Sequence, residues 1–433
     1  MQGGIRVGAL FGIPLYLDPS WFVIALLVTW GNSLRWRELY PDWPGSWVWG
    51  VGLLLALGLF GSVLLHELGH SLVAKAQGVK VRSITLFLFG GVATLERESR
   101  TPMQALRVAV AGPVVSLGLA GILGAMVWLL GGERLLLELS QAQDETLRPI
   151  LTAFTEKIGL KRVVISAIAW NLASINLVLG VFNLLPGLPL DGGQVLKACI
   201  WQVTGSPFRG VQWAAGSGWI LGILGMVLGV LTLFSGGIWL FLIGWFMAIN
   251  AQTYRQYSVL QEMLLKTLVH QIMSREFRVL GAELCLRDFV DLYCLPAQTP
   301  EIYFAEADGR YLGLVDSGRL SRIERSQWSS ASLATIVIPL DELPKVREQD
   351  NLAQAIIALG DDHAWLLVRS PVGGVQGLVL RGDVLKPLAP FLGLSGSDLE
   401  RVNREGRYPQ GLNLVPLAQK ALEMAAALPE TQH

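Results

Sequence analysis

The 433-residue chain is poor in the side chains that ordinarily build redox and nucleic-acid sites. Its three cysteines, Cys199, Cys285 and Cys294, form no CxxC pair, which argues against a thiolate metal site and against a disulfide framework. Charge is scarce: Asp, Glu, Lys and Arg make up 16% of the chain, where a soluble domain carries roughly 25%. Acids and bases balance at 34 each, a net charge of zero, so there is no basic footprint for nucleic acid. The N-terminus lacks a basic region followed by a cleavage site, and no removed signal peptide is expected. What remains is apolar. Hydrophobic residues are 52% of the chain and tryptophan reaches 15 copies. This composition indicates an integral membrane protein with some soluble mass attached.

Histidine is also sparse, at five residues, and two of the five fall in one pentapeptide, His66-Glu67-Leu68-Gly69-His70. The pentapeptide closes a run from Trp47 to Leu65 that contains no charged residue, long enough to cross a bilayer, which takes roughly 20 apolar residues. At i and i+4 of a helix, His66 and His70 share a face and can grip one metal ion. Glu67 lies about 100° further round. It can reach a metal-activated water as general base without ligating the metal. Ionisable groups inside a membrane are costly, and a cluster of them is a functional site by default.

Along the chain, residues 5–17 alternate with glycines and Pro14 as a short strand or hairpin at the membrane surface. Asp18-Pro19-Ser20-Trp21 reads as a helix start, with Asp18 as N-cap and Pro19 at the first helical position. A second hairpin is expected over residues 81–96, where β-branched and aromatic residues flank Gly90-Gly91. Open strand edges are not tolerated in lipid unless covered. An edge beside a metal site, near Leu86 to Phe89, would suit binding an extended peptide by strand addition. Further apolar spans are expected near 103–130, 163–185, 216–233 and 238–251. With the spans from Trp21 to Trp30 and from Trp47, they total about six. The loop after the HELGH helix carries Lys75, Lys80, Arg82, Arg97, Arg100 and Arg107. That excess places it, and the motif, toward the cytoplasm, with both termini cytoplasmic.

From about residue 257 the composition becomes that of a soluble chain. Residues 267–325 and 333–388 read as two copies of a β-α-β-β-α unit. Each opens on a strand (Val269–Leu280; Ala334–Val346) and continues with a helix (Ala282–Leu292; Asn351–Leu359). Each later repeats Gly-Leu-Val, at Gly313-Leu314-Val315 and Gly377-Leu378-Val379. The expected organisation is therefore a transmembrane domain over 1–256, a tandem α/β domain over 257–390, and a partly helical tail over 391–433.

Two histidines do not close a catalytic metal site, which usually takes three protein ligands and an open position. His270, His363 and His433 lie in the soluble half, so the third ligand is expected to be a carboxylate in the membrane half. The best candidate is Asp191, following Asn183-Leu184-Leu185-Pro186-Gly187-Leu188-Pro189-Leu190. The two prolines break the preceding helix. The structural alternative is that Asp191 only caps the helix that follows. Asn183 at an apolar helix end is either a packing hydrogen bond or a donor to an oxyanion or substrate backbone.

HELGH, Gly90-Gly91 and Asn183-x-x-Pro186-x-x-Pro189-x-Asp191-Gly192 together resemble the site-2 protease family of intramembrane zinc metalloproteases, over about residues 5–255. The resemblance implies a polytopic α-helical membrane protein with one Zn2+ per chain, held by His66, His70 and Asp191, with Glu67 as general base. It carries Asn183, Gly90 and Gly91 over as substrate or oxyanion residues. The soluble half resembles a cystathionine-β-synthase-type (CBS) pair. Such modules place Thr or Ser and then Asp against an adenosine ribose; the first copy here has Asp316 and Arg319, and in the second only Asp383 keeps the pattern. An adenine nucleotide there, or a dimerising or purely structural module, are the alternatives. The resemblance further implies cleavage of a membrane-anchored protein such as an anti-sigma factor or a tethered transcription factor, in a bacterial plasma membrane, with the site opening toward the cytoplasm. The rival class is a metal-ion transporter or channel gated by the CBS-like tail, for which the glutamate beside His66 would have no use.

Overall fold

The computed structural model describes residues 4–41, 43–88, 90–130, 160–296, 302–360, 363–370, 374–409 and 411–426. Most of the basic and acidic residues expected between the third and fourth spans, and His433, lie outside the described residues. The chain divides into two compact units, one ending at Gln256 and the other running Tyr257–Ala426.

The first unit opens with strands β1 (Ile5–Leu10) and β2 (Ile13–Leu17). Phe11 and Gly12 join them, both at positive φ, +52° and +79°, as a two-residue turn matched to strand twist requires. Lys75 Nζ donates to the Phe11 carbonyl at 2.7 Å. Asp18 caps helix α1 (Pro19–Leu39), accepting from the Ser20 N–H at 2.9 Å. Helix α2 (Gly45–Ala76) carries HELGH in its last third. β3 (Val81–Phe87) and β4 (Gly90–Leu95) form the second hairpin.

The two hairpins are one sheet, order β1-β2-β3-β4, because β2 and β3 pair in parallel, with Leu15, Tyr16 and Leu17 opposite Ile84, Thr85 and Leu86. This corrects the expected docking edge. Leu86 sits on an inner strand, opposite Leu17 on one side and Gly91 on the other, and cannot accept a further strand. The open edges are β1 and β4.

Helix α3 (Pro102–Leu129) starts at the Thr101 cap, α4 spans Leu160–Asn183, α5 Asp191–Thr204, α6 Pro207–Leu231 and α7 Ile238–Lys266. Among the described residues four stretches are long and apolar enough to cross a membrane: Gly45–Ala76, Pro102–Leu129, Val164–Asn183 and Pro207–Leu231. The other two expected spans are mixed. α1 carries Arg35, Arg37 and Glu38 in its last turns, and α7 carries Arg255, Glu262 and Lys266 in its second half. Their other halves expose Phe22, Leu26 and Trp30, and Trp239, Ile243 and Phe246.

The second unit holds two sheets. β5 (Arg278–Gly281), β6 (Tyr303–Ala307), β7 (Arg310–Val315) and β8 (Val337–Pro339) lie in that order. β9 (Lys345–Arg347) pairs in parallel with β10 (Trp365–Arg369), which pairs antiparallel with β11 (Val375–Leu380). Helix α8 (Leu352–Leu359) joins β9 to β10 and is capped by Asn351. The long opening strands expected for each copy are corrected. Val269–Ile272 is a helical turn, and Ala334–Val346 divides between β8, which closes the first sheet, and β9, which opens the second. Apolar β-branched residues bury equally well in a turn, so hydrophobicity alone did not separate the two. The terminal helices α9 (Gly396–Glu405) and α10 (Val415–Ala425) send Val402, Ala418 and Ala421 into the same core as Leu352, Ile356 and Val368.

Candidate metal centre

α2 and α3 approach closely at HELGH. A Cβ added to Gly69 would stand 3.0 Å from the Ala111 carbonyl oxygen and 2.9 Å from Val115 Cγ2, so only glycine allows this spacing. The two histidine rings, one turn apart on α2, both turn toward α3. His66 Nδ1 is 2.9 Å from Ser116 Oγ, and His70 Nδ1 is 2.6 Å from the Val108 carbonyl oxygen. A carbonyl can only accept, so His70 carries a proton on Nδ1 and its Nε2 is free as a donor atom.

The third side chain arrives from the broken segment after α4. Residues 184–190 leave the helix, and the Leu188 N–H is satisfied by the Ala214 carbonyl at 2.9 Å. Leu188 itself is fully buried among Val211, Ala214 and Ala215. Gly192 and Gly193 then pass so near the backbone of Leu184 and Gly187 that no side chain would fit. This packs α5 against α3 and α6 and brings its first residue to the histidines of α2. Leu190 is the cap residue and Asp191 the first residue of α5, so the capping alternative for Asp191 does not describe the fold. Its carboxylate Oδ2 lies 3.0 Å from His66 Nε2 and 3.2 Å from His70 Nε2, and the two Nε2 atoms are 3.2 Å apart.

These three donor atoms form the only such cluster of His, Cys, Asp or Glu among the described residues. Tetrahedral ligands at about 2.0–2.1 Å from Zn2+ stand roughly 3.3 Å from one another, within a few tenths of the observed spacings. Both outer ring nitrogens are held by oxygen atoms, the arrangement metal-bound imidazoles ordinarily show. The residues present fit a zinc ion.

Gly112 on α3 faces both Nε2 atoms, well inside contact distance for any added Cβ. Gly91 on β4 is equally tight against Glu67, where a Cβ would stand 2.5 Å from Cγ. The backbone of Ala93 lies beside the Glu67 carboxylate. Edge strand β4 therefore runs past the glutamate next to the metal-binding triad. Gly90, at φ +138°, adopts a conformation that side chains rarely take and opens that strand. Asn183 ends α4, half-buried, and is not one of the three converging residues. His270 and His363 lie in the second unit. There the Asp383 side chain is buried, with one oxygen accepting the Leu380 N–H at 3.1 Å and the other 2.7 Å from Lys386 Nζ. Both oxygens are thus engaged within the chain. The residues that sequence reasoning missed are Ser116 and Val108, which share one face of α3 with Gly112 and carry no mark in the sequence that sets them apart.

The sequence profile of peptidase family M50 matches residues 54–224. The protein sll0528 of Synechocystis sp., which carries the provisional name of a zinc metalloprotease, is 38% identical over 398 residues, covering 90% of this chain and 96% of its own. The chain belongs to peptidase family M50. Rip3 of Mycobacterium tuberculosis, with the same provisional name, is 31% identical to this M50 peptidase and covers 89% of it and 93% of itself. Among solved structures, the site-2 protease from Methanocaldococcus jannaschii is 29% identical, covering 58% of this chain and 95% of its own at a TM-score of 0.37. The CBS domain of a bacterial CNNM/CorC family Mg2+ transporter in complex with ATP is 19% identical over 33% of this chain, covering 99% of its own at a TM-score of 0.27. With four helices among the described residues long and apolar enough to cross a membrane, this M50 peptidase is an integral membrane protein.

Proposed function

We propose that this chain is a zinc metalloendopeptidase that hydrolyses peptide bonds in or near a transmembrane segment of a membrane-anchored protein. The observation that carries the reading is the convergence of His66, His70 and Asp191 to 3.0–3.2 Å, beside Glu67 and an open strand edge. His66, His70 and Asp191 would hold Zn2+, which would supply Lewis acidity for activating water near neutral pH and polarising a carbonyl. Glu67 takes the proton from the attacking water and returns one to the leaving amine. The substrate helix must unwind, because its carbonyls are otherwise engaged. β4 receives it as an added strand, aligning the scissile bond with Glu67. Asn183, together with the Gly90-Gly91 backbone, contacts the substrate or the developing oxyanion.

The basic loop after α2 supports a site that opens toward the cytoplasm of a bacterial plasma membrane, and the proposed substrates are membrane-anchored proteins such as anti-sigma factors or tethered transcription factors. The C-terminal pair adjusts cleavage from the cytosolic side or joins two copies. With Asp383 engaged internally, the joining role is favoured over adenine-nucleotide binding.

The test uses purified full-length protein and a single-span model substrate in detergent. Wild type with about one Zn2+ per chain cuts, and Glu67→Gln keeps the zinc and does not cut. Equal cutting by the variant, or a folded wild type that holds no zinc, overturns the proposal.

A further inference from the structure

The metal-binding histidines are on α2, yet both rings take their orientation from α3. Ser116 is fully buried and its Oγ meets His66 Nδ1 at 2.9 Å. Two turns earlier the Val108 carbonyl meets His70 Nδ1 at 2.6 Å. Gly112 stands halfway between them, facing both Nε2 atoms. Residues 108, 112 and 116 recur every four positions on one helix face. That face runs antiparallel to the face of α2 carrying 66 and 70. Each of the three supplies what its position needs: a carbonyl acceptor, the absence of a side chain, and a hydroxyl.

We propose that Ser116 is a positioning residue for the metal site, and that its hydroxyl fixes the His66 ring, as the Val108 carbonyl fixes His70, so that Nε2 faces Asp191. The inference rests on the proposed function, since it presumes a metal at His66, His70 and Asp191. A freely turning imidazole would pay rotational entropy on binding and would sample the wrong nitrogen. A held ring removes both costs. Outer partners of ligating histidines typically contribute 10–100-fold in metal affinity.

The experiment uses full-length protein in detergent, stripped of metal and reloaded with Zn2+ or with Co2+ as a spectroscopic probe. Ser116→Ala is expected to raise the Zn2+ dissociation constant about 10–100-fold by chelator competition and to move the Co2+ visible absorption band. Ser116→Thr, which keeps the hydroxyl, restores both. Gly118→Ala, where an added Cβ meets nothing within 4 Å, leaves both at wild-type values. Wild-type affinity and band in Ser116→Ala overturn the proposal, as does an equal loss in Ser116→Ala, Ser116→Thr and Gly118→Ala. A measurement on the unaltered protein covers the case of a variant that does not fold. With five histidines in the chain, 15N-histidine spectra of the Zn2+ form resolve His66, and a proton on its Nδ1 is expected; a bare or metal-bound Nδ1 overturns the proposal. A folded wild type that takes up no Zn2+ sinks the proposed function itself. Normal zinc uptake with an unaffected Ser116→Ala sinks this inference alone.

Discussion

Gly91 lies against Glu67 so tightly that a single added carbon would stand 2.5 Å from the glutamate Cγ. The strand proposed to receive substrate and the side chain proposed as general base are therefore one packed unit. Gly91→Ala keeps an ordinary backbone, since the φ of Gly91 is not positive, but it displaces Glu67. Its zinc content should equal that of wild type while kcat on a model substrate falls by at least tenfold, an effect in the range expected of a misplaced acid–base group. A variant that cuts at the wild-type rate would separate β4 from the chemistry.

Gly112→Ala addresses the metal itself. The new methyl would occupy the space directly in front of both histidine Nε2 atoms. Alanine is the better helix former by about 1 kcal/mol, so α3 should persist. The expected outcome is a folded, helical protein with little bound zinc, measured by elemental analysis beside circular dichroism.

Metal removal should be reversible. The site is built on α2, α3 and α5, whose backbones are paired within their own helices, so a chelator should abolish cleavage and leave the helical spectrum intact. Zn2+ should restore cutting, and Mg2+, which favours oxygen ligands, should not.

In the membrane, Asn176 of α4 donates to Ser62 Oγ of α2 at 2.8 Å and to the Leu172 carbonyl at 2.8 Å. Interhelical hydrogen bonds of this kind contribute about 0.6 kcal/mol and at most about 1.7. Asn176→Ala should therefore lower thermal stability in detergent only modestly. A collapse of the fold would assign Asn176 a larger role than one bond.

In the second unit, Ser395 holds the Asp398 carboxyl below the ordinary aspartate range by donating side-chain and backbone hydrogen bonds to it, with Arg401 adding to the effect. A depressed folded-state pKa contributes stability that is fully present above the unfolded value of about 3.9 and is lost as pH falls through the folded value. Protection of the 396–405 amides against hydrogen exchange should hold from pH 7 to about 4.5 and decline only below it. Asp398→Asn should flatten that decline.

The core of the site was legible because helical periodicity is a local rule: residues 66 and 70 share a face in any helix that contains both. Asp191 was legible only by elimination, since no local rule connects it to residues 125 positions earlier. Ser116 and Val108 were not legible. A serine in an apolar helix carries no mark of its partner, and a carbonyl belongs to every residue. Strand signals were legible over residues 5–17 and on both sides of Gly90-Gly91, but Gly90 and Gly91 are themselves paired residues of β4, opposite Phe87 and Leu86, and not the turn. The parallel pairing of β2 with β3 depends on how helices α1 and α2 bring distant residues together.

That pairing makes the first strands part of the working end of the molecule. Tyr16 and Leu17 lie beside Thr85 and Leu86, which in turn lie beside Val92 and Gly91. A pull at the amino end acts on β1 and meets, through the ladder β1-β2-β3-β4, the edge strand that packs against Glu67. A ligand that grips β1 therefore holds the edge opposite the one beside Glu67, three strands removed from it in a single sheet.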